Sequence, residues 1–186
     1  MSRLAIYDEA GNACGNVIHD HQAITASLAG LGVRFERWQA SAPLAQDADQ
    51  QAVLDAYAED VARLNAEYGF QSVDVVALGP QHPQKAEMRQ KFLAEHTHSD
   101  FEVRFFVEGR GLFYLHVADK VYCVLCEKGD LISVPANTTH WFDMGKDPDF
   151  KCIRLFVIPD GWVGHFTDSS IAAGFPDFDQ FVAQTA

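Results

Sequence analysis

"KFLAEHTHSDFEVRFFVEGRGLFYLH", Lys91 to His116, changes texture at Glu95. Before it the pattern is helix-like; after it come short β-rich runs at close intervals, 101–108, 112–118, 120–126, 131–134, 139–144 and 151–158. Between them fall turn-forming residues: Gly109 and Gly111, Asp119-Lys120, Lys128-Gly129-Asp130, Pro135-Ala136-Asn137 and Gly145 to Pro148. Many short strands separated by turn signals predict an all-β barrel or sandwich.

Working outward, the first half supplies helices and a few strands. "LAIYD" reads as a strand, and Ile24, Leu28 and Leu31 have helical spacing within His19–Leu31, stopped near Gly30 and Gly32. "VRFERW" (Val33 to Trp38) alternates as a strand does. One helix is expected from Asp47 to Gly69 through Val53, Leu54, Tyr57, Val61 and Leu64, with Gly69 as its stop. "SVDVVAL" (Ser72 to Leu78) predicts a strand, "PQKAEMRQKFL" a helix opened by Pro83, and "FPDFDQFVAQ" a last helical turn or two. No linker divides the halves. The expectation is one mainly-β domain over 1–186: helices plus edge strands in 1–95, a barrel core in 96–160 and a C-terminal tail in 161–186.

Composition narrows the class. A chain of 186 residues with 48% hydrophobic residues can bury a sizeable core. Its net charge of −12, from 14 basic and 26 acidic residues, repels a phosphate backbone, so no nucleic-acid partner is expected. No apolar run approaches a bilayer span, and the start lacks a basic-then-apolar signal pattern; a cytoplasmic protein without a membrane partner is expected. Cys123 and Cys126 form C-x-x-C inside a strand-like run, with no second pair to complete a zinc site. They read as reduced structural thiols.

Chemistry gathers at two places. His96 and His98 are two apart and share a face if extended; Glu102 and Arg104 share a face on the following run. "GDLISVPANTTHWF" later presents His140 at the head of a strand, and a barrel can bring it beside the first group. His96, His98, Glu102 and His140 are donors of a suitable type for a transition metal, and three imidazoles with one carboxylate leave two octahedral positions open. Fe(II), Ni(II), Co(II) and Mn(II) suit such a set; three histidines also build zinc sites, so zinc stays a competitor. His19, His21, His82, His116 and His165 lack this grouping and read as ordinary surface or core residues.

Glu95 to Gly109 and Gly129 to His140 resemble the two signature motifs of the cupin superfamily. The longer stretch through "KGDLISVPANTTHWFDMG" and "KCIRLFVIPDGWV" is similar to the acireductone dioxygenase family. It departs from the generic motifs by lacking a glycine upstream of His96, by Asn137 in place of glycine and by Met144 in place of asparagine. Asn tolerates a left-handed turn, so that turn is expected to survive. The resemblance implies a cupin-type β-barrel, a double-stranded β-helix or jelly roll, with N-terminal helices packed around it. It implies one Fe(II) or Ni(II) per chain, held by His96, His98, Glu102 and His140, and an acireductone and dioxygen as small-molecule partners. With Fe(II) the expected products are a methylthio α-keto acid and formate; with Ni(II), a shorter carboxylic acid, formate and carbon monoxide. Arg104 is the expected catalytic arginine, meeting a bound enediolate, with a structural carboxylate as the competing partner. Phe142 and Met144, which share parity with His140, together with Arg154 and Trp162, are the substrate-pocket candidates. A monomer is expected. The competing readings are another metal-dependent cupin enzyme, a sugar-phosphate isomerase or decarboxylase, and a non-catalytic ligand-binding cupin.

Overall fold

The computed structural model describes residues 1–45 and 48–185. In chain order it contains β1 (Arg3–Asp8), α1 (His21–Ala29), β2 (Arg34–Arg37), α2 (Gln50–Ala56), α3 (Ala58–Tyr68), β3 (Ser72–Leu78), α4 (Lys85–Leu93) and β4 (His96–Thr97). There follow β5 (Glu102–Val117), β6 (Lys120–Glu127), β7 (Asp130–Val134), β8 (Thr139–Asp143), β9 (Phe150–Phe156), β10 (His165–Phe166), a 3-10 turn (Ile171–Gly174) and α5 (Phe178–Gln184).

The architecture turns on β5, which belongs to two sheets at once. Its first half pairs with β7 and β9, which carry β2 and β3 at their outer edges. Its second half pairs with β6 and β8, continued outward by β1 on one side and by β4 and β10 on the other. All of these pairs are antiparallel.

Two strands were expected where β5 runs unbroken, with Gly109 and Gly111 between them as turn residues. Both glycines instead permit close approach. Gly109 has φ of 68°, and a Cβ there would overlap the backbone of Asp149; a Cβ on Gly111 would overlap the ring of Phe142. The register shifts between Phe106 and Glu108. Across this bulge the inward set changes parity: Phe106 packs in the interior before it, Phe113 and Leu115 after it. A bulge bends the strand and re-aims its side chains, which lets one strand turn the corner between sheets.

The interior between the sheets holds Phe106, Phe113, Leu115, Ile132, Val134, Phe142, Phe150 and Cys152. A second cluster lies under α2 and α3 (Val53, Tyr57, Leu64, Phe105, Leu155), and a third under the C-terminal segment (Tyr114, Trp141, Phe175, Phe181). Cys126 faces the interior and Cys123 the third cluster, so the C-x-x-C thiols sit on opposite faces of β6 and cannot chelate together.

The single helix expected over 47–69 is two. Asp47 lies outside the described residues; α2 begins after Asp49, whose carboxylate accepts from the Ala52 N–H at 2.8 Å. Tyr57 then leaves helical geometry at φ −116°, ψ 21°, and its buried ring meets Phe105 edge-on at 5.3 Å. Packing on the sheet overrides the local propensity to continue. Gly69 ends α3 in the left-handed conformation, as its position suggested. Pro83 does not open α4, which starts two residues later after a turn closed by Lys85 N–H to the His82 carbonyl.

Candidate metal centre

β4 is only two residues long, yet its place in the sheet brings two distant sequence segments together: His96 is in register with His140 of β8. His98 follows β4, and Glu102 opens β5. The ring nitrogens of His96, His98 and His140 come within 4.8 Å of one another, and all three side chains are buried. Glu102 Oε2 lies 2.9 Å from His140 Nε2 and 3.7 Å from His98 Nε2.

Backbone carbonyls set each ring. Nδ1 of His96 donates to Ala94 at 2.7 Å, that of His98 to Val163 at 2.9 Å and that of His140 to Thr138 at 2.7 Å. A carbonyl can only accept, so each Nδ1 carries the proton and Nε2 is the nitrogen that each ring is left to present. Sequence reading missed these three supports, since a backbone acceptor leaves no residue signature. Asn137 adopts φ 62°, the left-handed turn expected of it, and its N–H holds the His98 carbonyl at 2.8 Å.

The electrostatics favour a cation. Burial chiefly, with His140 nearby, pushes His96 down to about 4, and burial likewise lowers His98, so both are neutral at pH 7, the form a metal ion would need. Burial opposes ionisation of Glu102, but adjacent Arg104 and His140 outweigh it and hold its carboxyl well below the usual range. A carboxylate oxygen and a Nε2 lone pair facing each other at 2.9 Å repel unless a proton or a metal ion lies between them. The donor set therefore fits a divalent transition ion.

Arg104 stands behind this group. Its Nε donates to Glu102 Oε1, and its guanidinium lies 4.7 Å from the Phe142 ring centroid, 5.1 Å from Phe113 and 5.9 Å from Phe92. Its remaining terminal nitrogen is buried without an acceptor. Phe92 comes from α4, a contribution that no motif announced.

The other candidates disperse. Phe142 is buried in the interior layer under Arg104, while Met144 is buried beyond the end of β8 and lines a separate cleft with Gly109 and Arg110. Arg154 lies opposite Arg104 in register but gives two hydrogen bonds, of 2.9 and 2.6 Å, to Asp74. Trp162 is 54% exposed on the segment after β9, two residues before Gly164, which packs on the His96 ring. Asp100, unmarked by the sequence, is buried and ties that segment down, accepting from the N–H groups of Val157 and Ile158.

Residues 3–164 match the ARD/ARD′ family. The chain is 58% identical over 186 residues to the acireductone dioxygenase of Methylococcus capsulatus, covering all of both chains. It is 55% identical over 182 residues to that of Aquifex aeolicus, covering 98% of this chain and 99% of the relative. Among solved structures it is similar to an acireductone dioxygenase from Bacillus anthracis with a cadmium ion in its active centre. That match has a TM-score of 0.79 and 30% identity, covering 89% of this chain and 98% of the other.

Proposed function

This chain belongs to the ARD/ARD′ family of acireductone dioxygenases, cupins by fold, and on that premise we propose how its residues divide the work. The activity is the metal-dependent oxidative cleavage of an acireductone by dioxygen, a step of methionine salvage.

His96, His98, Glu102 and His140 hold the ion, as Fe(II) or Ni(II), one per chain, with Co(II) or Mn(II) as substitutes. The observation that supports this assignment is the convergence of ring nitrogens from three buried histidines, with a Glu102 carboxylate oxygen 2.9 Å from His140 Nε2 and 3.7 Å from His98 Nε2. A bound divalent ion supplies Lewis-acid polarisation of the neighbouring oxygens of the substrate. Arg104 is the catalytic arginine: its unpaired nitrogen, walled by aromatic rings, offers a donor to the enediolate form of the substrate. Phe142 and Phe92, beside that donor, exclude water and line the methylthio tail. Arg154, committed to Asp74, acts through the barrel wall rather than on the substrate. Trp162, exposed on the surface, and Met144, buried beside a separate cleft, have the weakest claim to the tail.

Within this reading residues 1–186 act as one cupin domain and as a monomer; one chain carries every proposed ligand residue, so the site needs no partner chain. The four cysteines are free, which supports a reducing cytoplasm, and no described helix is long and apolar enough to cross a membrane.

The product follows the ion: Fe(II) gives the methylthio α-keto acid and formate, Ni(II) the shorter carboxylic acid, formate and carbon monoxide. Stripped protein reloaded with each ion separately tests this. Carbon monoxide from the nickel form alone is the expected result, and one product mixture from both forms would remove the dependence on the ion.

A further inference from the structure

Four side chains form one row across the sheet of β7, the first half of β5, β9 and β3. Ile132, Arg104, Arg154 and Asp74 stand each directly opposite the next. Residues directly opposite in antiparallel strands share a face, and Ile132 fixes that face as the interior. Two arginines therefore lie side by side, which costs free energy unless each charge is answered. Arg104 is answered by Glu102 and Arg154 by Asp74, the latter through bonds of 2.9 and 2.6 Å. Arg154 is also near the candidate metal centre. Its guanidinium lies 5.7 Å from the Phe156 ring centroid, and that ring lies 6.2 Å from the His98 ring. Glu102, two residues before Arg104, is its diagonal neighbour, a separation that long side chains can span. Burial opposes the charge on Arg154, but Asp74 first and Glu102 after it outweigh burial and raise its hold on the proton above the usual.

Glu102 is 2% exposed, so water screens little of what a nearby cation does to it. Its Oε1 already accepts from Arg104, and its Oε2 faces His140 and His98. A second guanidinium, released from Asp74, would compete for that remaining oxygen. We propose that Asp74 is a positioning residue for the metal centre: by holding Arg154 at the wall, it leaves Glu102 a single arginine partner and keeps Oε2 available to an ion. The inference rests on the ligand assignment above.

The cobalt-loaded full chain, titrated with a chelator and followed by visible absorption, reads the affinity of the site. Asp74→Asn should weaken cobalt binding about tenfold, the scale of one added charge near a buried carboxylate. Arg154→Gln alone should stay within about twofold of the parent, because Asp74 already holds that charge away. The double variant should return to the parent value, and Asp74→Glu, which keeps the charge, should stay near it. Should Asp74→Asn not fold, Asp74→Thr, of similar size and good strand propensity, replaces it. Lowered stability with unchanged cobalt affinity in Asp74→Asn would make the Asp74–Arg154 pair structural only and overturn the proposal. So would an additive cycle, in which Arg154→Gln tightens binding as much as Asp74→Asn weakens it; a general field, not competition for Glu102, would then be acting. Cobalt that survives His140→Ala would overturn the ligand assignment and this inference with it, whereas equal affinities across the Asp74 variants would overturn this inference alone.

Discussion

Two buried carboxylate–arginine pairs in this molecule end in opposite states. Asp143 accepts two bonds from Arg89, at 2.6 and 2.8 Å, and one each from the N–H groups of Gly145 and Phe178. It thereby fastens α4 and α5 to β8, and its carboxylate is fully used. Glu102 also meets an arginine, Arg104, but one oxygen faces His140 Nε2 at 2.9 Å with room for an ion among the three histidines, and Arg104 keeps an orphan nitrogen. A structural polar cluster closes on itself, whereas a site leaves valences for something that arrives. Burial alone does not separate the two.

The sharpest way to break the contrast is to delete one member of each cluster. His140→Ala should remove bound metal and essentially all activity while the barrel stays folded, since the interior apolar layer does not depend on it; elemental analysis and circular dichroism check this. Full metal occupancy and turnover would take His140 out of the site. Asp143→Ala should do the reverse, costing about 3 kcal/mol of stability by leaving the buried Arg89 only its 3.8 Å contact with Asp177, with activity per folded molecule retained. Denaturant titration beside an activity assay checks it, and an unchanged midpoint would mean that the clasp is ornamental.

Arg104→Gln probes the open valence itself. Metal content should remain near normal and kcat/KM should fall about ten- to a hundredfold, the effect of losing a charge-assisted bond to a buried anion. Unchanged kinetics with lowered stability would make Arg104 a structural partner of Glu102 instead.

The smallest and most graded effect is in pH. His96 and His98 titrate below their unfolded value, so the folded state disfavours their protonated forms. Metal-free protein should therefore hold this contribution above about pH 6.5 and lose it as pH falls toward about 4, the value for His96. Melting temperatures of metal-free parent and His96→Ala protein across that window should converge on acidification. Parallel curves would show that the histidines are not the groups responsible.

Local pattern and residue chemistry made much of this legible. The run of short strands after Glu95, the helices before it, the left-handed stop at Gly69 and the turn at Asn137 are short-range properties, and the sequence carries them. The residue types of the candidate metal group were legible for the same reason, because H-x-H-x3-E and a later histidine supply imidazole and carboxylate donors that together suit a transition ion. Long-range geometry was not. That Gly109 and Gly111 sit inside one strand rather than ending two depends on Asp149 and Phe142, which press against them from elsewhere in the chain. That Tyr57 bends a helix depends on Phe105, and that Arg154 is spent on Asp74 depends on the register of β3 against β9. The three carbonyls that orient the histidines have no side chain to read. Sequence by itself determined which residues could bind and which segments would be extended; the fold decided which of them meet, because proximity between distant segments is set by packing and register, not by local preference.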